Sequence, residues 1–170
     1  MGKDAQIKII REFSSGGVVF KKDNSRMLWL VRLTTASKDY PKQYWMLPKG
    51  RLDDTDGDEP GPMSLGKVKA NETTLQSAAG REVREETGVD VEIVDKIGTS
   101  IYSFTDPKVG KILKFVTFYL MKYLKDLPDG FDWETAEVKW LPFEEAYKTL
   151  SFGGEKQMLK KAKDLLASLA

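Results

Sequence analysis

The stretch from Thr73 to Val89 constrains the fold more than any other part of the chain. Leu75, Ala79 and Val83 recur every fourth residue and make one apolar stripe, the pattern of a helix lying on a core. Thr73 with Gln76 three residues on reads as a capping box that opens this helix, which runs to Glu86. Gly88 supplies the left-handed stop. A helix with a single apolar stripe needs a surface to cover, and the segments on both sides of it read as strands.

Upstream, Val18-Val19-Phe20 and the apolar run Met27–Leu33 flank the turn Asp23-Asn24-Ser25, which predicts a hairpin. Tyr44–Leu47 is a brief aromatic and apolar stretch ending at Pro48. Downstream, Val89–Phe104 reads as strand and loop, and Asp106-Pro107 with Gly110 as a turn. Ile112–Leu124 is apolar on both alternating faces, the mark of a central strand covered on each side. Glu137–Leu141 is a short strand, and residues 143–150 and 154–169 read as helices. This order predicts one domain over residues 1–170, an α/β/α sandwich with a mixed β-sheet. Residues 51–72 interrupt it. Asp53 to Pro62 is acidic and full of turn formers, so a long exposed loop insertion is expected there. Its acids lack the regular spacing and terminal glutamate of a calcium loop, which favours a solvated segment.

The chemistry open to the chain is narrow. Cysteine and histidine are both absent. That excludes disulfides, thiolate nucleophiles, zinc–cysteine centres and every mechanism with a histidine base. Lysine and arginine number 27 against 26 aspartate and glutamate, so no global field draws nucleic acid or an anionic membrane. The polar start Met1–Gln6 has no apolar signal core, and Gln6 stands where a myristoylation pattern wants Ser or Thr. With no apolar run of membrane length, the expectation is a cytoplasmic protein with no membrane partner.

Within the helix, Glu82, Glu85 and Glu86 stand at i, i+3 and i+4, so the three carboxylates share one face while Val83 points to the core. A carboxylate cluster on an anchored helix suits a hard cation such as Mg2+ or Mn2+. The alternative is a solvated acidic face balanced by Arg81 and Arg84.

The context of those residues resembles a known family. Pro48-Lys49-Gly50, followed by Arg81-Glu82-Val83-Arg84-Glu85-Glu86-Thr87-Gly88-Val89, is similar to the Nudix box, whose second half is matched at every specified position. The segment between Gly50 and the helix is longer than the family spacing allows. Thr73 stands where the box has an isolated glutamate, and Glu72 reaching Arg81 is the expected substitute for that brace. The resemblance implies a metal-dependent hydrolase of phosphoanhydride bonds that uses Mg2+, with Mn2+ as the other candidate. It implies Glu82, Glu85 and Glu86 as metal ligands, joined by the carbonyl of Lys49. One of Glu82 or Glu86 would serve the attacking water. Glu134, shortly before the strand tryptophan Trp140, matches a late carboxylate of the family, with Glu137 as the fallback.

The box does not set the substrate. Trp45-Met-Leu-Pro-Lys-Gly50 and Lys114-Phe-Val-Thr-Phe-Tyr119 are similar to segments of dinucleoside polyphosphate hydrolases, which implies diadenosine polyphosphates. Lys49, Lys114 and Arg32 would then meet the phosphates, and Tyr102 or Phe104 would stack on a base. Diphosphoinositol polyphosphates, nucleoside triphosphates and capped or triphosphorylated RNA ends remain as alternatives, all small-molecule or nucleotide-like partners. A non-catalytic nucleotide-binding scaffold is the alternative of another class. The oligomeric state is not written in the sequence.

Overall fold

The computed structural model describes residues 8–170, so the reading of the polar start over Met1–Gln6 lies outside the described residues. The expected hairpin is longer than its apolar runs. Strand β1 covers Ile10–Asp23 and β2 covers Arg26–Thr34, with Phe20 opposite Trp29 and Asp23 opposite Arg26. Asn24 takes the left-handed conformation at the tip, φ 57°, which asparagine tolerates better than most residues. The polar and small residues Ser14 to Gly17 also belong to β1, because they pair with strands far away in sequence.

Strands β3 (Trp45–Met46) and β4 (Lys49–Arg51) follow, then helix α1 (Glu72–Thr87), β5 (Val89–Asp106), β6 (Gly110–Asp126) and β7 (Thr135–Leu141). Helices α2 (Phe143–Thr149) and α3 (Gly153–Ser168) end the chain. All strands join one seven-stranded sheet of order β3-β2-β1-β6-β5, with β4 added to β1 and β7 to β2. The β1–β6 pair is parallel and the other pairs are antiparallel, so the sheet is mixed.

The central strand β6 is covered on both faces, as its sequence predicts. Tyr119 and Met121 pack with Ala79 and Val83 of α1 on one face. Val116, Phe118 and Leu120 pack with Leu150, Met158 and Leu159, from the α2–α3 end of the chain, on the other. The α/β/α sandwich follows from this alternation, since each sheet face is apolar and needs a helical cover.

Two local expectations are corrected. The α1 cap is Asn71, whose side chain accepts the Thr74 N–H at 2.8 Å, and Thr73 lies inside the helix. Asparagine, with its planar amide oxygen, is among the strongest of such caps. The 51–72 segment is only partly a solvated loop. Arg51 belongs to β4, and the Asp53 carboxylate folds the loop back on itself by accepting the N–H groups of Met63 at 3.1 Å and Ser64 at 2.8 Å. Ser64 is wholly buried, and its carbonyl accepts the Phe13 N–H at 2.7 Å, which ties the loop to β1. Among the described residues, no helix is long and apolar enough to cross a membrane.

Candidate active site

The C-terminal half of α1 carries its three glutamates to the place where β4, β2 and the segment before β7 meet. Gly88 makes this possible by ending the helix in the left-handed region, φ 71°, directly beside the backbone of Gly130 and Phe131. Glu82 and Glu86 are buried, whereas Glu85 between them is exposed. Glu86 accepts the Lys49 N–H at 2.8 Å and stands 3.4 Å from the Arg32 guanidinium. Glu82 lies against Gly50, where a Cβ would collide with its carboxylate. That close approach gives the Lys49-Gly50 pair a physical purpose: one residue offers an N–H and the next offers space.

Burial is the main force on both acids. It pushes Glu82 up to about 7, against the pull of Arg81 and with added repulsion from Glu85 and Glu134. It pushes Glu86 up to about 8, although Arg32 and the Lys49 N–H favour the charged form. Glu134 is raised as well, first by burial and then by Asp132, and its carboxyl is within hydrogen-bonding reach of Glu86. The structure therefore buries Glu82 and Glu86 near the end of α1 and leaves Glu85 and Glu134 exposed, with Glu134 next to Glu86. Glu137 is elsewhere, paired with Lys139 at 3.9 Å on the exposed side of β7.

The expected cations are occupied. Arg32 is buried and donates to the Thr135 hydroxyl at 2.8 Å and the Glu134 carbonyl at 3.0 Å, holding Glu86 and the Glu134 segment in register. The Lys49 ammonium is buried against Glu155 at 3.1 Å, and it lies 5.8 Å from the Tyr102 ring. Lys114 pairs with Glu12 at 3.3 Å. Tyr102 is partly buried and stacks on Phe104, their centroids 6.1 Å apart. Glu72 does not reach Arg81. It accepts from the Tyr119 hydroxyl at 2.6 Å and from Lys96 at 3.1 Å. Arg81 instead donates to the carbonyls of Arg51 at 3.1 Å and Leu52 at 3.4 Å, so the brace on the loop is backbone oxygen, supplied by the strand that Glu82 touches.

Two acids went unread in the sequence. Glu155, at the start of α3, accepts the Leu47 N–H at 2.9 Å as well as the Lys49 ammonium. Glu12 on β1 pairs with both Lys114 and Arg51, the latter at 3.6 Å. Neither lies in a local motif; only the pairing of β1 with β6 and β4 brings Glu12 to its cations.

Residues 12–162 match the NUDIX domain family. The chain belongs to the Nudix family. Its sequence is 29% identical over 166 residues to the mutator-type protein MutT4 of Mycobacterium tuberculosis. That match takes in 96% of this chain and 59% of the relative, so the chain spans about three-fifths of the curated protein it resembles. Among solved structures, the Ap4A hydrolase of C. elegans in a binary complex aligns with a TM-score of 0.64 at 21% identity, over 92% of this chain and 98% of that one. The NUDIX domain of Shewanella oneidensis NrtR, crystallised with ADP ribose, aligns with a TM-score of 0.60 at 17% identity, over 96% and 94%. At these identities the structural likeness establishes the Nudix fold.

Nudix hydrolases generally use divalent metals, and the donor set fits one. Glu82, Glu85, Glu86 and Glu134 offer only oxygen, which suits Mg2+ or Mn2+. The two buried carboxylates carry a desolvation penalty that a cation between them would relieve. Among the described residues no three acids stand close enough to form a ready cage. Loading would draw in the side chains of Glu85 and Glu134, the two exposed members of the set.

Proposed function

We propose that this Nudix domain hydrolyses a phosphoanhydride bond in a nucleoside-diphosphate-linked substrate, with diadenosine polyphosphates first among them. The observation that carries the reading is the pair of buried carboxylates, Glu82 and Glu86, seated against Gly50 and the Lys49 N–H in a chain with no histidine or cysteine. One structural neighbour is an Ap4A hydrolase and the other was crystallised with ADP ribose; both compounds contain a nucleoside diphosphate, which supports that substrate class.

Water attacks phosphorus, the bridging P–O bond breaks, and the departing phosphate leaves with its oxygen. A divalent cation held by Glu82, Glu85, Glu86 and Glu134, with the Lys49 carbonyl, would neutralise phosphate charge and acidify the attacking water. Either Glu82 or Glu86 would accept the water's proton, as carboxylates seated beside the attacking water can. Arg32 and the Lys49 N–H fix the Glu86 oxygens, so the carboxylate meets the water in one orientation. The rest is positioning and electrostatics, and no covalent nucleophile is needed.

The test is a panel of dinucleoside polyphosphates, nucleotide sugars, nucleoside triphosphates and capped RNA with magnesium, with products identified by mass. Glu85→Gln with Glu86→Gln should remove the release of nucleotide or phosphate. A wild-type protein that binds the panel and releases no product would instead be a nucleotide-binding scaffold.

A further inference from the structure

The strand that follows Glu134 breaks its own alternation. Val138 and Trp140 of β7 point to the α1 face of the sheet, where they pack against the cluster that contains Leu30, Val83 and Tyr119. Strict alternation would put Ala136 on that face and Thr135 on the other. The register with β2 slips instead. Glu137 lies opposite Leu33 and Thr135 opposite Thr34, so Ala136 is the extra residue of a bulge. Ala136 is exposed, whereas Thr135 is buried. A slip of one residue turns a side chain to the opposite face, and here it turns a hydroxyl toward the end of α1.

That hydroxyl joins three segments. It donates to the Glu86 carbonyl at 2.7 Å and accepts the Arg32 Nε–H at 2.8 Å. The Arg32 Nη2 group donates to the Glu134 carbonyl at 3.0 Å and stands 3.4 Å from Glu86 Oε2. The guanidinium is therefore aimed at the start of β7. Its contact with the Glu86 carboxylate is long, against about 2.8 Å for a charge-assisted hydrogen bond. Both side chains are buried, and a buried guanidinium beside a carboxylate commonly closes into a fork of two hydrogen bonds. Such a fork would occupy the Glu86 oxygens that a cation needs.

We propose that Thr135 is a positioning residue for the metal site: its hydroxyl holds the Arg32 guanidinium to β7 and so keeps Glu86 Oε2 open to a divalent cation. Without the hydroxyl, the Arg32 Nε–H loses its acceptor. A buried donor left unpaired is unfavourable, and the Glu86 carboxylate is within reach, so the fork closes and competes with the cation. The inference rests on the reading of Glu86 as a metal ligand.

Thr135→Val keeps the shape and removes the hydroxyl, while Thr135→Ser keeps the hydroxyl. Mn2+ affinity, read from the free-ion paramagnetic resonance signal where each variant is folded, should fall about tenfold for Thr135→Val and stay close to wild type for Thr135→Ser. In an Arg32→Met background, where no guanidinium can close, Thr135→Val should lower the affinity no further. A crystal structure of metal-free Thr135→Val should show two guanidinium nitrogens on the Glu86 carboxylate. Folded Thr135→Val protein with wild-type affinity overturns the proposal, as do equal losses in both backgrounds or an Arg32 that has not moved. If the wild type itself leaves Mn2+ free, the metal reading fails, while the position of Arg32 in the crystal still decides what Thr135 holds.

Discussion

Gly50 and Glu82 are a matched pair, and the match has a direction. The carboxylate is the movable member, because it ends a flexible side chain, whereas the Gly50 backbone is held in β4 opposite Ser15. Gly50→Ala should therefore leave the fold nearly intact and displace Glu82 from its seat. The expected outcome is a thermal midpoint close to wild type with kcat lowered by about a hundredfold, the scale of losing one positioned electrostatic group. An unchanged kcat, measured on whichever phosphoanhydride the wild type cleaves, would separate Glu82 from the chemistry. Helical spacing made this residue legible, since i, i+3 and i+4 place Glu82, Glu85 and Glu86 on one side of any helix. What the spacing could not give was depth: Glu82 and Glu86 sink beneath β4 and β2 while Glu85 stays outside, a difference fixed by the neighbouring strands.

Among the elements, the insertion between β4 and α1 departs furthest from expectation. Its acidic residues read as solvated, yet Asp53 works as an internal cap for the loop. Burial by itself would raise the Asp53 carboxyl, but the N–H groups of Ser64 and Met63, the Ser64 hydroxyl and the charge of Arg81 outweigh it and hold the acid below its usual range. A depressed folded value contributes stability that is complete above the unfolded value, near 3.8, and is lost as pH falls through the folded one. Asp53→Ala should thus speed proteolysis within residues 53–68 at neutral pH by an amount equivalent to about 1 kcal/mol. The wild type should approach the variant only in strong acid; equal cleavage rates at pH 7 would show that the loop is held by something else. Helix α1 and strand β6 were legible because their apolar periods are local. Strand β4 was not, since Lys49-Gly50-Arg51 carries no apolar pattern and becomes a strand only by pairing with Ser14–Gly16. The early half of β1 escaped for the same reason, being polar and small where it runs parallel to β6.

For the whole molecule, the third layer is tied to the site by one buried ion pair. Glu155 on α3 holds the Lys49 ammonium, and both side chains are less than 8% exposed. Burial would lower the Lys49 charge, but Glu155 together with Tyr102 and Glu86 keeps it protonated. Glu155→Ala would leave that cation unpaired and also strip the Leu47 N–H of its acceptor. The expected cost is about 3–5 kcal/mol in denaturant unfolding, with Glu155→Gln closer to wild type because the amide oxygen still accepts from Leu47. A change below 1 kcal/mol for Glu155→Ala would mean that α3 docks through its apolar face alone. The sandwich itself was readable from the order of elements, but this tie was not, since 106 residues separate its partners.

The account turns on whether the buried carboxylates at the end of α1 take a divalent cation. Electron paramagnetic resonance of free Mn2+, titrated with protein, measures that without any assumption about substrate. The wild type should deplete the free-ion signal stoichiometrically, and the Glu82→Gln/Glu86→Gln protein should restore it to the level of buffer. Equal depletion by both proteins, with the variant folded, would place the ion elsewhere and contradict the assignment.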